Sequence, residues 1–198
     1  MNIGFLASHG GSNMQAIIDA CKSGKLKATP AVVISNNSNS GASERAKTEG
    51  VPYYNLSGKT HPVPGELDDA ILDTFLRHSV DIVVLAGYMK KLGPKMLSHF
   101  RGRIVNVHPA LLPKFGGEGM YGIHVHEAVI AAGEKESGVT IHFVDEQYDT
   151  GKILAQTRVL VMSNDTPETL AARVLEQEHI LYAETLQRIV TGEIPFPA

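Results

Sequence analysis

The sequence predicts an α/β protein: a mostly parallel, twisted sheet with helices on both faces, antiparallel strands added toward the C-terminal part, and a long C-terminal helix. Three observations lead there. From Asn2 onward, short apolar runs alternate with amphipathic stretches, which is the pattern of a parallel sheet with crossover helices. One run, Asp81-Ile82-Val83-Val84-Leu85-Ala86, has the continuous apolar core of a central strand buried on both faces. After about residue 135 the alternation gives way to two strand-like runs and one long helical stretch. The chain has no internal repeat, low-complexity segment or linker, so residues 1–198 are expected to form one domain.

Each element has its own signal. Asn2 to Ala7 is the first strand. Ser12 to Ser23 follows as a helix with Met14, Ile17, Ile18 and Cys21 on its inward face. Ala31 to Ser35 is a short buried strand, Asn36 to Gly41 a polar loop, and Ala42 to Glu49 a helix ended by Gly50. Val51 to Leu56 is the third strand. Past the breaker-rich His61-Pro62-Val63-Pro64-Gly65, the residues Leu67, Ile71, Leu72, Phe75 and Leu76 mark one side of a helix. The apolar pair Ile104-Val105 leads a strand to Asn106 and His108, and Pro109 removes a donor and helps to stop it. Ser137 to Val144 and Lys152 to Met162 are two late strands around the irregular loop Asp145 to Gly151. Thr166 then suits a helix cap, Pro167 the first helical position and Glu168 the positive end, with the helix running to Thr191 and Gly192 as terminator.

Composition narrows the function. A hydrophobic share of 43% against 20% charged residues suits a globular protein with a real core. A net charge of -3 speaks against a nucleic-acid binder, which would concentrate basic charge on one face; nine histidines could add positive charge at lower pH, but they are scattered. The single Cys21 excludes an intramolecular disulfide, fits a reducing compartment, and reads as a buried, inert thiol. No apolar run reaches membrane-spanning length, and the opening strand leads into a glycine turn rather than a cleavage site. The expectation is a cytoplasmic protein with neither a membrane nor a nucleic-acid partner.

Ligands of open α/β sheets bind beyond the carboxyl ends of the strands, where Ser8 to Asn13, Gly87 to Leu92 and Asn106 to Pro113 all fall. Asn106 and His108, two residues apart on a strand, face one side together. An amide able to bind a developing oxyanion beside an imidazole able to move protons is the pair that acyl-group transfer needs. Ser8-His9-Gly10-Gly11-Ser12-Asn13 is either a phosphate cradle at a helix N-terminus or a tight turn in which Ser12 and Gln15 form a capping box. It has neither dinucleotide nor P-loop spacing. In Asp145-Glu146-Gln147-Tyr148-Asp149-Thr150-Gly151 the acids read by themselves as solvated turn formers. A functional role would require one carboxylate to approach His108 and raise its pKa. His124-Val125-His126-Glu127 lacks a third ligand at a recognisable spacing, so no metal is expected.

Taken together, and in order, these segments resemble the phosphoribosylglycinamide formyltransferase family, folate-dependent enzymes of purine synthesis. The resemblance runs through Gly11-Ser12-Asn13-Met14-Gln15-Ala16-Ile17, Val83-Val84-Leu85-Ala86-Gly87-Tyr88-Met89 and Asn106-Val107-His108-Pro109-Ala110-Leu111-Leu112-Pro113-Lys114. It continues with His142-Phe143-Val144-Asp145-Glu146, Asp149 and Gly151, and closes on Gln177-Glu178-His179. It implies the formyltransferase type of parallel α/β sheet and passage of a formyl group from 10-formyltetrahydrofolate to the amine of glycinamide ribonucleotide, without metal. By position, Asn106, His108 and Asp149 would be catalytic. Gly11, Ser12 and Asn13 would hold the ribonucleotide phosphate, and Glu178 would meet the glycinamide end. Met89, Lys90, Lys91, Leu92, Val144 and Asp145, with Asn106, would border the folate. The implied partners are these small molecules, and the implied state is a monomer or homodimer.

Two departures from the family pattern stand out. Lys114 to Gly122 is longer and richer in glycine than the usual turn, and reads as a lid or simply a longer connection. Pro64 stands where many members carry a basic residue for the folate's glutamate tail, which shifts that contact to Lys90, Lys91 or backbone. Methionyl-tRNA formyltransferase is disfavoured by Lys114-Phe115-Gly116 and the lack of Trp. A formyltetrahydrofolate deformylase, in which water replaces the amine, and a non-catalytic sensor of phosphate ligands compete with the transferase.

Overall fold

A computed structural model describes residues 1–197. Seven strands and six helices follow in the order β1 (Asn2–Ala7), α1 (Ser12–Lys22), β2 (Thr29–Ser35), α2 (Gly41–Thr48), β3 (Tyr53–Asn55), α3 (Glu66–Arg77), β4 (Ile82–Leu85), α4 (Pro94–His99), β5 (Ile104–His108), α5 (Ile123–Ala131), β6 (Glu136–Phe143), β7 (Ile153–Leu160) and α6 (Pro167–Val190). They form one sheet in the order β3-β2-β1-β4-β5-β6-β7. The first five strands pair in parallel, while β6 runs antiparallel to β5, and β7 to β6. The expected fold class is borne out. Because the chain winds outward from β1 to β3 and then returns beside β1 as β4, a crevice opens between the ends of β1 and β4.

Strand alternation divides the core into two layers. Ile3, Phe5, Ala7, Ile82 and Val84 pack on one face with Met14, Ile17 and Ile18 of α1 and Leu170, Val174, Tyr182 and Leu186 of α6. Leu6, Val83, Leu85 and Ile104 face the other way, against Ile71 and Phe75 of α3 and Met96 of α4. Tyr182 is fully buried, and its hydroxyl lies 3.1 Å from the Leu85 carbonyl and 2.8 Å from that of Val105. One phenol thereby ties α6 to the ends of two central strands.

Local chemistry modifies several expectations. Helix α1 is capped by Gly11, not by Ser12, and the box with Gln15 does not form: the Gln15 amide donates to Asp19 and Glu49 instead. Gly11 is required on two counts. Its φ is 70°, and a Cβ there would lie 2.9 Å from the Ala42 backbone. Leu76, expected inward, is 47% exposed, since α3 turns Ile71, Thr74 and Phe75 to the core instead. The third strand is shorter than its apolar run, because only Tyr53–Asn55 finds a partner in β2. The short helix α4 has no counterpart among the elements expected from the sequence. At α6 the expected Thr166 cap is present, and Thr169 completes a reciprocal capping box with it.

Replacing Tyr182 by Phe should cost about 1–2 kcal/mol of stability, because the one phenolic hydrogen shared between two buried carbonyls is lost without creation of a cavity. Urea unfolding of parent and variant measures this, and equal midpoints at equal slopes would refute the bridging role.

Candidate functional site

Asn106 and His108 lie on β5 and share the face of Ile104, as their spacing requires. The antiparallel register then sets His142 opposite Asn106 and Thr140 opposite His108. Asn106 Nδ2 is 3.1 Å from His142 Nε2. Since His142 Nδ1 must donate to the Phe143 carbonyl, 2.9 Å away, its Nε2 in the neutral ring accepts from Asn106. That contact orients the amide and leaves its second N–H free.

The acidic loop after β6 turns back over this pair. Asp149, at φ 59°, holds Oδ2 3.4 Å from His108 Nδ1 and Oδ1 3.5 Å from His142 Nε2. It also accepts from the Gly117 N–H at 2.9 Å, so the glycine-rich segment is fastened to the same carboxylate. Gly151 lets the chain re-enter the sheet, for a Cβ there would fall 1.8 Å from the Phe143 carbonyl oxygen. Asp145 behaves as a turn former, accepting from the Gln147 N–H and the Thr150 hydroxyl. The other His108 nitrogen, Nε2, donates to the Phe115 carbonyl at 2.7 Å. Thr140 steadies the turn beyond His108: its hydroxyl donates to the Ala110 carbonyl and accepts from the Leu112 N–H.

Burial and charge pull these groups in opposite directions. Burial lowers the His108 pKa more than the Asp149 carboxylate and the Phe115 carbonyl raise it, so the net shift is downward. The carboxylate acts with the expected sign, and desolvation outweighs it. Burial by itself would push the Asp149 carboxyl up, but the nearby imidazoles of His142 and His108, in their protonated forms, and the Gly117 N–H hold it below its usual range.

A cleft of about 90 Å³ adjoins the cluster, and Asn106, His142 and Asp149 form part of its wall. Lys90, Lys91, Leu92, Val144 and Asp145 line it as well. Met89 does not; its side chain is exposed, while its N–H donates to the Ser8 hydroxyl at 2.8 Å.

A second cluster sits at the start of α1. No side chain caps that helix, so its first N–H groups are open to an anion beside Gly11, Ser12 and Asn13. Buried Asn13 donates to Glu178 of α6 at 2.6 Å. Desolvation raises the Glu178 pKa, and the Asn13 bond opposes it only partly. His124 and Glu127 pair on the surface, whereas His126 is buried. Among the described residues no three His, Cys, Asp or Glu side chains are grouped to hold a metal ion. No helix is long and apolar enough to cross a membrane.

Sequence reasoning missed the part played by His142. It opens the segment His142-Phe143-Val144, but the register that sets it opposite Asn106 has no local signature.

A helix N-terminus without a side-chain cap and an Asn/His/Asp cluster at the end of a parallel sheet form an arrangement chemically able to support group transfer. Comparison agrees: a sequence profile of the formyl transferase family matches residues 1–186, and the chain belongs to that family. It is 44% identical over 188 residues to the chloroplastic phosphoribosylglycinamide formyltransferase of Arabidopsis thaliana, a match that covers 94% of this chain but only 64% of the relative's length. It is 37% identical over 194 residues to the phosphoribosylglycinamide formyltransferase of Escherichia coli strain K12, covering 98% of this chain and 89% of that one. The crystal structure of glycinamide ribonucleotide transformylase 1 from Symbiobacterium toebii superposes with a TM-score of 0.93 at 35% identity, covering 100% and 91% of the two chains.

Two titrations test the electrostatics. Followed by NMR, the His108 ring should titrate below its ordinary 6.5 and lower still in Asp149→Asn, because the lost carboxylate contributes upward. An upward move in the variant would contradict that balance. For Glu178 the folded-state pKa is raised above 4.5, so the folded chain binds the proton more readily and loses stability as pH climbs past the unfolded value. Glu178→Gln should therefore gain in Tm relative to the parent as pH rises above the unfolded value, and less below it. A Tm difference that does not vary with pH would rule this out.

Proposed function

We propose that the chain, as a single formyltransferase domain acting in the cytoplasm, transfers the formyl group of 10-formyltetrahydrofolate to the amine of glycinamide ribonucleotide, a step of purine synthesis. The observation that carries this reading is the approach of Asp149 to His108 beside Asn106, at the wall of a cleft bordered by Lys90, Lys91 and Leu92. Family membership and the names of the relatives support it.

The ribonucleotide phosphate sits on the open N–H groups of Gly11, Ser12 and Asn13, where the helix dipole favours an anion. Its amine lies toward Glu178, and the folate ring lies along Leu92, Val144 and Asp145, with Met89 at the outer edge. The amine nitrogen attacks the formyl carbon and the carbonyl electron pair moves onto oxygen. The free N–H of Asn106 donates to that oxygen, and His108, when protonated, adds positive charge beside it. Asp149 favours the imidazolium. Collapse breaks the bond to the folate nitrogen. That nitrogen gains one proton as the attacking nitrogen loses one, so the transfer balances without a metal.

Purified protein given both substrates tests this, with Asn106→Ala and Asp149→Asn as variants and a blank lacking the acceptor. Loss of an oxyanion donor should lower kcat about 10²- to 10³-fold in Asn106→Ala. Near-parental turnover in that variant would exclude the oxyanion role. Formate release in the blank would make the activity hydrolysis.

A further inference from the structure

The turn that follows His108 is held from the far edge of the sheet. Thr140 pairs with His108 across β5 and β6, and with Gln156 across β6 and β7. Directly paired residues point to one face, so His108, Thr140 and Gln156 form a row over three strands. His108 and Thr140 are buried, whereas Gln156 sits exposed on the edge strand and reaches inward with its amide.

The row ends in a closed set of hydrogen bonds. Gln156 Nε2 donates to the Thr140 hydroxyl at 2.8 Å and to the Leu112 carbonyl at 3.0 Å. The Thr140 hydroxyl donates to the Ala110 carbonyl at 2.6 Å and accepts from the Leu112 N–H at 3.1 Å. A hydroxyl has one hydrogen and two lone pairs, and all three are used here. The donation from Gln156 therefore leaves Thr140 a single orientation, with its hydrogen on Ala110. Gly138 makes room for the turn, since a Cβ there would collide with Leu111 and the Thr157 carbonyl.

The turn passes this constraint back to the imidazole. Leu112 Cδ2 lies so close to Gly116 that a Cβ on that glycine would overlap it. Gly116 stands between Phe115, whose carbonyl accepts from His108 Nε2 at 2.7 Å, and Gly117, whose N–H donates to Asp149. We infer that Gln156 is a positioning residue for the reaction: by holding Leu112 and Thr140 it fixes the turn whose far end aligns His108. The inference rests on the formyl-transfer reading, in which His108 acts beside Asn106. Gln156 does not line the cleft at Asn106, so it reaches the chemistry only through this chain of contacts.

The test uses two variants and a control. Gln156→Met keeps the reach of the side chain without its donors, and Gln156→Glu puts an oxygen in place of the donating nitrogen. Arg158→Ala, on the same face of β7 but paired with Glu136, controls for the strand itself. In formyl transfer both Gln156 variants should lose about 10- to 100-fold in kcat, because a small displacement of a catalytic group is costly. KM for each substrate should stay within about twofold, as expected when only the transition state is affected. Arg158→Ala should keep the parental kcat. In protein carrying isotopically labelled histidine, the His108 Nε2–H proton should move upfield in both Gln156 variants as its bond to Phe115 lengthens. Parental kcat in Gln156→Met, an equal loss in Arg158→Ala, a loss carried by KM, or an unmoved Nε2–H signal would overturn the inference and leave formyl transfer standing. Absence of transfer by the parent would overturn the formyl-transfer reading and the inference together.

Discussion

The arrangement of the site depends on one part-buried carboxylate. Asp149 is 11% exposed in its side chain, and a charge so placed must be met by partners or be neutralised. Two imidazoles and a backbone N–H meet it, and they come from β5, β6 and the glycine-rich segment. Each partner constrains its own element. A one-residue slip of β6 would send His142 to the opposite face and remove one of them. The left-handed backbone at Asp149 and the close return of the chain at Gly151 are the local strain and packing that this placement entails.

The two halves of the sheet contribute different chemistry. The parallel half ends in helix N-termini and polar turns, which suits it to anions. The antiparallel half adds a cross-strand neighbour to Asn106 and a loop that returns over β5, which suits it to proton transfer. Tyr182 joins them: it lies one helical turn beyond Glu178 and bonds the Val105 carbonyl, whose peptide unit leads directly into Asn106. Ser8 makes the corresponding link on the other side of the crevice, between the turn after β2 and the Met89 N–H.

Much of this was legible in the residues, in proportion to how local its cause is. The Thr166 cap and Pro167 act within one turn, and the alternation of Ile82, Val83, Val84 and Leu85 between two core layers follows from strand geometry alone. Where neighbours decide, local pattern misleads. Ser12 looks like a cap, yet α2 packs so closely on the preceding turn that the left-handed Gly11 takes the position. Leu76 fits the apolar stripe of α3, but the helix docks through Ile71, Thr74 and Phe75 and leaves it in solvent.

The sequence by itself determined the order of the strands, the α/β class, the facing pair Asn106 and His108, and the glycine turn ahead of α1. Each follows from backbone periodicity, proline and glycine chemistry, or spacing along one segment. Only the tertiary structure decided that Asp149 rather than Asp145 reaches His108, that His142 orients Asn106, and that Glu178 meets Asn13. It also decided that burial outweighs the carboxylate in setting the His108 pKa. These contacts join residues dozens of positions or more apart, through strand register, helix docking and the exclusion of water, none of which is encoded in any one stretch of chain.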